Sequence, residues 1–88
     1  MGEDHVGTPG IAMRRSRAEA ARAERTGEGL AEVEARIALG TALHRLGRTP
    51  EGIKELTRAV GSAQGLPYPA GTRRAAWARD LLGETTRG

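Results

Sequence analysis

The sequence predicts an all-α domain of about four antiparallel helices, and three observations carry that expectation. Ala and Arg, both good helix formers, dominate. Phe is absent and there is one Trp and one Tyr, so the core must come from Ala, Leu, Ile and Val, which suits close helix packing. Apolar residues recur at steps of three and four, as one face of a helix requires. The periodic stretches are separated by Gly27, Gly47 and Gly65, and Pro9, Pro50 and Pro69 stand where helices would begin; Pro inside a start and Gly past an end is ordinary helix punctuation. A chain of 88 residues makes one small domain with a thin core, because a domain of that size buries only roughly 60–65% of the surface its unfolded chain exposes.

Residues 1–9 combine Gly, charge and little apolar content and are expected to be a disordered leader ending in Thr8 as N-cap and Pro9 as the first helical position. The first helix then covers residues 10–26, with Ile11 and Met13 its only large apolar residues. The second covers residues 29–46. Leu30, Val33 and Ile37 fall on one stripe and Leu39, Leu43 and Leu46 on a neighbouring one, which implies packing on two sides. Gly40 lies between the stripes; a mid-helix Gly costs up to about 1 kcal/mol relative to Ala, and close approach of another helix is the expected compensation. The turn GRTPEG restarts a helix, with Thr49 as cap, Pro50 in the first turn and Glu51 near the positive end of the dipole. The third helix runs over residues 50–64, with Ile53, Leu56, Val60 and Ala63 inward and Glu51, Lys54, Glu55 and Arg58 outward. Pro67 and Pro69 disfavour helical geometry at Leu66 and Tyr68. The last helix therefore begins at residues 69–72, carries Trp77, Leu81 and Leu82, and ends at Gly83. The helical domain is thus residues 10–83, and residues 84–88 are a frayed tail.

A shift of 38 positions places Ala21 on Ala59, Gly27 on Gly65, Leu39 on Trp77 and Leu43 on Leu81, so the chain reads as half a repeat, one complete hairpin and half of a third. Within the hairpin, Leu39, Gly40, Leu43, Gly52, Leu56 and Ala59 resemble the pattern of a tetratricopeptide repeat; Arg36, Leu43, Leu56 and Gln64 stand where that pattern has Trp, Tyr, Phe and Pro, and the usual period is about 34. AERTG, ARIALGTALHRLGR and EGIKELTRAV look like phrases from repeats in the sensor regions of large bacterial signal-transduction ATPases and transcription regulators. The resemblance covers residues 14–83 and implies a short tetratricopeptide-like helical-repeat array that binds a protein or peptide. About three such repeats are usually needed for stability, so it also implies a fragment of a longer array, or a homo-oligomer or docked partner on the open helix faces. In this alignment Trp77 fills the core site that Leu39 fills one repeat earlier; an interface anchor is the less favoured reading.

Net charge is +3 and unevenly placed, since Arg14, Arg15, Arg17, Arg22 and Arg25 face only Glu19 and Glu24 in the first helix. A solvated face explains this most simply, and an acidic partner is the sharper alternative. With no Cys, no signal-peptide core and no apolar run near the ~18 residues of a membrane span, a cytoplasmic protein without a membrane partner is expected. Met1 and Met13 both remain candidate starts. No catalytic set is legible: His5 and His44 are isolated, Glu32 and Glu34, and Glu51 and Glu55, have solvated surface spacings, and GTPG and GEG lack the context of a phosphate loop. Neither an enzyme nor a cofactor is expected.

In the repeats this hairpin resembles, the first helices line a concave surface. That implies Arg36, Thr41, His44 and Arg45, with Arg73, Arg74 and Arg79, as partner contacts, and the planar Arg fork suits a carboxylate-bearing peptide. The alternative is nucleic acid held by Arg14, Arg15, Arg17, Arg73 and Arg74 through phosphates, against which stand interspersed acids and the want of a basic recognition helix.

Overall fold

The computed structural model describes the backbone of residues 2–67 and 69–87, with side chains over residues 8–67, 69 and 72–84. Across the described residues the chain is all-α, with four helices and no strand: α1 (Gly2–Thr26), α2 (Gly29–Arg45), α3 (Thr49–Gln64) and α4 (Pro69–Arg87). None of these helices is long and apolar enough to cross a membrane.

The turns follow from glycine where the backbone demands it. Gly27 and Gly47 have φ of 73° and 79°, in the left-handed region that residues with a Cβ avoid. Each closes a Schellman motif: Glu28 N–H donates to the Ala23 carbonyl at 2.9 Å and Arg48 N–H to the Leu43 carbonyl at 2.8 Å, so carbonyls at both helix ends are satisfied. The third break is different. Gly65 has an ordinary φ of −86°, and it is Pro67 that stops α3 by disfavouring helix at Leu66. Caps also depart from expectation. Arg48 occupies the N-cap of α3 without a side-chain cap bond, because the Thr49 hydroxyl, one residue inside the helix, is joined instead to His44 Nδ1 at 2.9 Å.

Both outer helices are longer than the sequence predicts. α1 begins at Gly2 and passes through Pro9, where a single carbonyl, that of His5, loses its helical donor within the first turns. α4 continues through Gly83 to Arg87, since glycine in an ordinary helical conformation permits a helix as well as ending one. Residues 2–9 and 84–87 have helical backbone; residues 1 and 88 lie outside the described residues.

Packing is sequential. α2 contacts α1, α3 and α4, α3 also contacts α4, and α1 touches only α2. Residue numbers run oppositely across α2 and α3, where Arg36 meets Glu55 and His44 meets Thr49, and run together across α2 and α4, where Arg74 reaches Glu34 and Thr41 and His44 border Trp77 and Leu81. Consecutive helices thus alternate in direction, placing α1 and α3 in one layer and α2 and α4 in the other, within a slab of 41 × 32 × 17 Å. Val33, Leu39, Leu43 and Leu56 are the large fully buried side chains, surrounded by Ala20, Ala23, Ala42, Ala59, Ala63 and Ala75.

The small residues allow the helices to approach closely. A Cβ added at Gly40 would lie 2.7 Å from Leu56 Cγ and 2.9 Å from the Gly52 carbonyl oxygen, and one added at Gly52 would lie 2.6 Å from the Gly40 oxygen. Backbone therefore meets backbone, as expected for Gly40. Gly61, in the same helix as Gly52, faces open space. Gly52→Ala should accordingly lower stability by about 1–3 kcal/mol through overpacking, whereas Gly61→Ala should raise it by about 0.5–1 kcal/mol through helix propensity. Urea unfolding followed by circular dichroism reads both, and equal effects at the two positions would contradict the close approach.

Surface ion pairs clasp two of the turns. Hydrogen bonds from Arg22 hold the carboxyls of Glu19 and Glu28 below their usual range, with Thr26 adding a second bond to Glu28, and Arg48 does the same for Glu51. Because these groups bind protons less readily folded than unfolded, their contribution is present above the ordinary value of 4.5 and lost as pH falls below it. The melting temperature should thus fall on acidification from pH 5 to pH 3, and Glu28→Gln should reduce that fall.

Candidate interaction surface

Two of the clefts beside α2, one in each layer, differ in chemistry. The cleft between α1 and α3 has Leu39 and Arg36 at its base, with Arg17, Glu24, Glu55 and Arg58 around it. Arg36 is buried, its side chain only 8% exposed. Its Nε donates to Glu32 at 2.9 Å and its terminal nitrogens to Glu55 at 2.8 Å and Glu24 at 3.3 Å. Burial opposes the charge, yet the bonds to Glu32 and Glu55 outweigh it and hold the guanidinium above its usual pKa. Among the described residues no buried side-chain polar atom lacks a partner.

This geometry corrects three expectations. Arg36 is an internal tie between α1, α2 and α3, and its donors engage the chain's own carboxylates, so it is withdrawn as a contact for a partner. Glu32 and Glu55 are not solvated surface acids; their side chains are 15% and 16% exposed. The i,i+4 spacing of Glu32 and Arg36 was a usable signal in the sequence, but the 19-residue reach to Glu55 depends on the register of α2 against α3.

In the other layer, α2 and α4 border a groove of about 240 Å³ lined by Thr41, His44, Trp77, Ala78, Leu81 and Leu82. Trp77 is 68% exposed, contrary to its expected place in the core. The reason is register. Ala75 and Leu82, seven residues apart and so on one side of the helix, are both buried and mark the inward face of α4. Trp77, two residues past Ala75, is turned by about 200° around α4 and away from that face.

The predicted contacts distribute unevenly around this groove. Thr41 and His44 line it. Thr41 Oγ1 donates to the Ile37 carbonyl at 3.0 Å, and with His44 Nδ1 held by Thr49 the opposite ring nitrogen is the one left for a ligand. Arg45 and Arg73 are exposed, four residues from Thr41 and Trp77 on their helices, which places them beside the groove. Arg74 is paired to Glu34 at 2.8 Å and Arg79 to its neighbour Asp80 at 3.2 Å. Trp77, Leu81 and Leu82 complete the surface. Leu81 and Leu82 were expected only as part of the apolar face of the last helix. Among the described residues, no three His, Cys, Asp or Glu side chains converge as a metal site would require.

The difference between the two clefts is measurable. Replacing Arg36 with Met leaves Glu32 and Glu55 facing each other half-buried and should cost about 3 kcal/mol. Glu24→Gln, whose side chain is 66% exposed, should stay within about 0.5 kcal/mol. Chemical denaturation of both variants at neutral pH tests this, and comparable losses would contradict the assignment of Arg36 as a tie centred on Glu32 and Glu55.

Compared with family models, curated proteins and solved structures, the chain matches none of them.

Proposed function

We propose that this protein is a non-enzymatic protein- or peptide-interaction module of tetratricopeptide-like architecture, acting in a bacterial cytoplasm as part of a regulator or scaffold. The observation that carries the interaction reading is the exposed Trp77 beside the groove of Thr41, His44, Leu81 and Leu82. Aromatic anchors bordered by a few polar groups are what binding surfaces concentrate. The repeat reading is supported by the alternating helix directions and the side-by-side, co-directional α2 and α4. A partner segment would place an apolar side chain against Trp77 and Leu81 and its carboxylates near Arg45 and Arg73, where planar guanidinium forks can take both oxygens. Thr41 and His44 would supply hydrogen bonds at the groove.

The alternative, nucleic acid, is favoured by one observation: Arg14, Arg15, Arg17 and Arg25 are all exposed on α1. Trp77, the sole tryptophan, reports on the choice directly. Titration with acidic amphipathic peptides should shift its emission to shorter wavelength and saturate, with Trp77→Ala weakening binding at least about tenfold and Arg45→Ala with Arg73→Ala weakening it a few-fold at low salt. A peptide series that leaves emission unchanged, together with a steeply salt-dependent DNA gel shift abolished by Arg14→Ala and Arg15→Ala, would replace this reading with the alternative.

A further inference from the structure

Two exposed stripes lie on the helices that bound the array. On α4, Trp77, Asp80, Leu81 and Glu84 follow at i, i+3, i+4 and i+7 and all are exposed; on α1, Ile11, Arg14, Arg15 and Ala18 follow at the same spacing and all are exposed. Each stripe alternates apolar and charged residues on one helix face, and the charges are opposite. Arg14, Arg15 and Glu84 make no ion pair among the described residues, and Asp80 is joined only to the adjacent Arg79. Ile11, Trp77 and Leu81 are three of the five large apolar side chains found exposed, so the apolar surface is concentrated on these two stripes.

Beside the α1 stripe there is room for a large side chain. A hollow of about 410 Å³ between α1 and α2 has Ala31, Glu34, Ala35 and Ala38 along one wall and Arg15, Ser16 and Glu19 along the other. A second hollow, lined by Thr8, Ile11, Ala12, Arg15 and Ser16, shares two of those residues, so the two form one trough with alanines along it and two acids at its border, Glu19 and Glu34, already held by Arg22 and Arg74. Within one molecule the stripes do not meet, because α1 contacts only α2 and makes no contact with α4.

We propose that copies of this chain associate head to tail, the α4 stripe of one copy seating on the α1 stripe of the next. Trp77 enters the alanine-lined trough, where Arg15 can lie over the indole face, Leu81 covers Ile11, and Asp80 and Glu84 meet Arg14 and Arg15. The contact is heterologous: every copy offers one surface of each kind, so the product grows as a chain or closes as a ring. This rests on the reading of the Trp77 face as an interaction surface and differs from it in the occupant, a second copy whose arginines meet Asp80 and Glu84 in place of an acidic segment that meets Arg45 and Arg73. One helix stripe from each copy makes a small interface, below about 1,200 Å², of the size that weak encounters use.

Sedimentation equilibrium of the full chain, from about 0.02 to 1 mM in low salt, tests the proposal. Mean mass should rise above 9.3 kDa with concentration, and association should weaken about tenfold between 0.05 and 0.5 M salt. Arg14→Glu with Arg15→Glu should abolish it, as should Asp80→Arg with Glu84→Arg. Mixing those two variants, or placing all four changes in one chain, should restore it. All four positions are exposed, so circular dichroism should show unchanged helicity. A wild-type chain that stays at 9.3 kDa up to 1 mM overturns the proposal. So does association indifferent to both charge reversals, or reversal variants that do not recover on mixing. The α1 reversals lie outside the α2–α4 groove, so they should leave any peptide titration of Trp77 unchanged; a failed titration with intact self-association sinks the peptide reading alone.

Discussion

The crossing of α2 and α3 at Gly40 and Gly52 constrains everything else in the fold. Each glycine faces the other's carbonyl oxygen at a distance that no Cβ could share, so the two backbones sit as near as helices can. That closeness lets a core with only four large fully buried side chains, Val33, Leu39, Leu43 and Leu56, fill the space between helices that are otherwise lined with Ala. It also fixes register. With Gly40 opposite Gly52, Arg36 is carried to Glu55 at one side of the crossing and His44 to Thr49 at the other.

The buried Arg36 cluster follows from that register. An arginine in a thin, Ala-rich core carries a desolvation penalty that a salt bridge offsets only with good geometry and full hydrogen bonding. Glu32 and Glu55 provide both, and the weaker contact from Glu24 brings in α1. The cluster is therefore better understood as a device that selects one arrangement of three helices than as a large net source of stability. A slipped pairing of α2 and α3 would leave a charge buried and unpaired, which is far costlier than a lost apolar contact.

On the opposite layer the same packing leaves apolar surface uncovered. α2 is packed by helices on both sides and at its flank, whereas α4 is packed by α3 and only the edge of α2, so its Trp77 and Leu81 stay exposed. Charged neighbours differ between the two faces: Trp77 lies between Arg73 and Arg74 on one side and Asp80 and Glu84 on the other, whereas Ile11 is followed by Arg14 and Arg15.

The sequence by itself determined the helices, because their signals are local. Gly27 and Gly47 mark ends through the left-handed backbone only they tolerate, the two prolines of LPYP halt α3, and three- and four-residue periodicity sets the inward face of α3. Gly40 even announced a close contact without naming its partner. The limits of the outer helices were less legible, since Pro9 and Gly83 are compatible with both a helix and its end. Only the tertiary structure decided which of two similar registers the packing adopts. Alignment of Gly27 on Gly65 puts Trp77 on the buried Leu39, but the inward face of α4 is the one marked by Ala75 and Leu82, and two residues of difference turn a side chain from the core to the solvent. That rotation exposed Trp77, and the register of α2 against α3 buried Arg36, because burial depends on which neighbouring helix covers a face and not on the residue that occupies it.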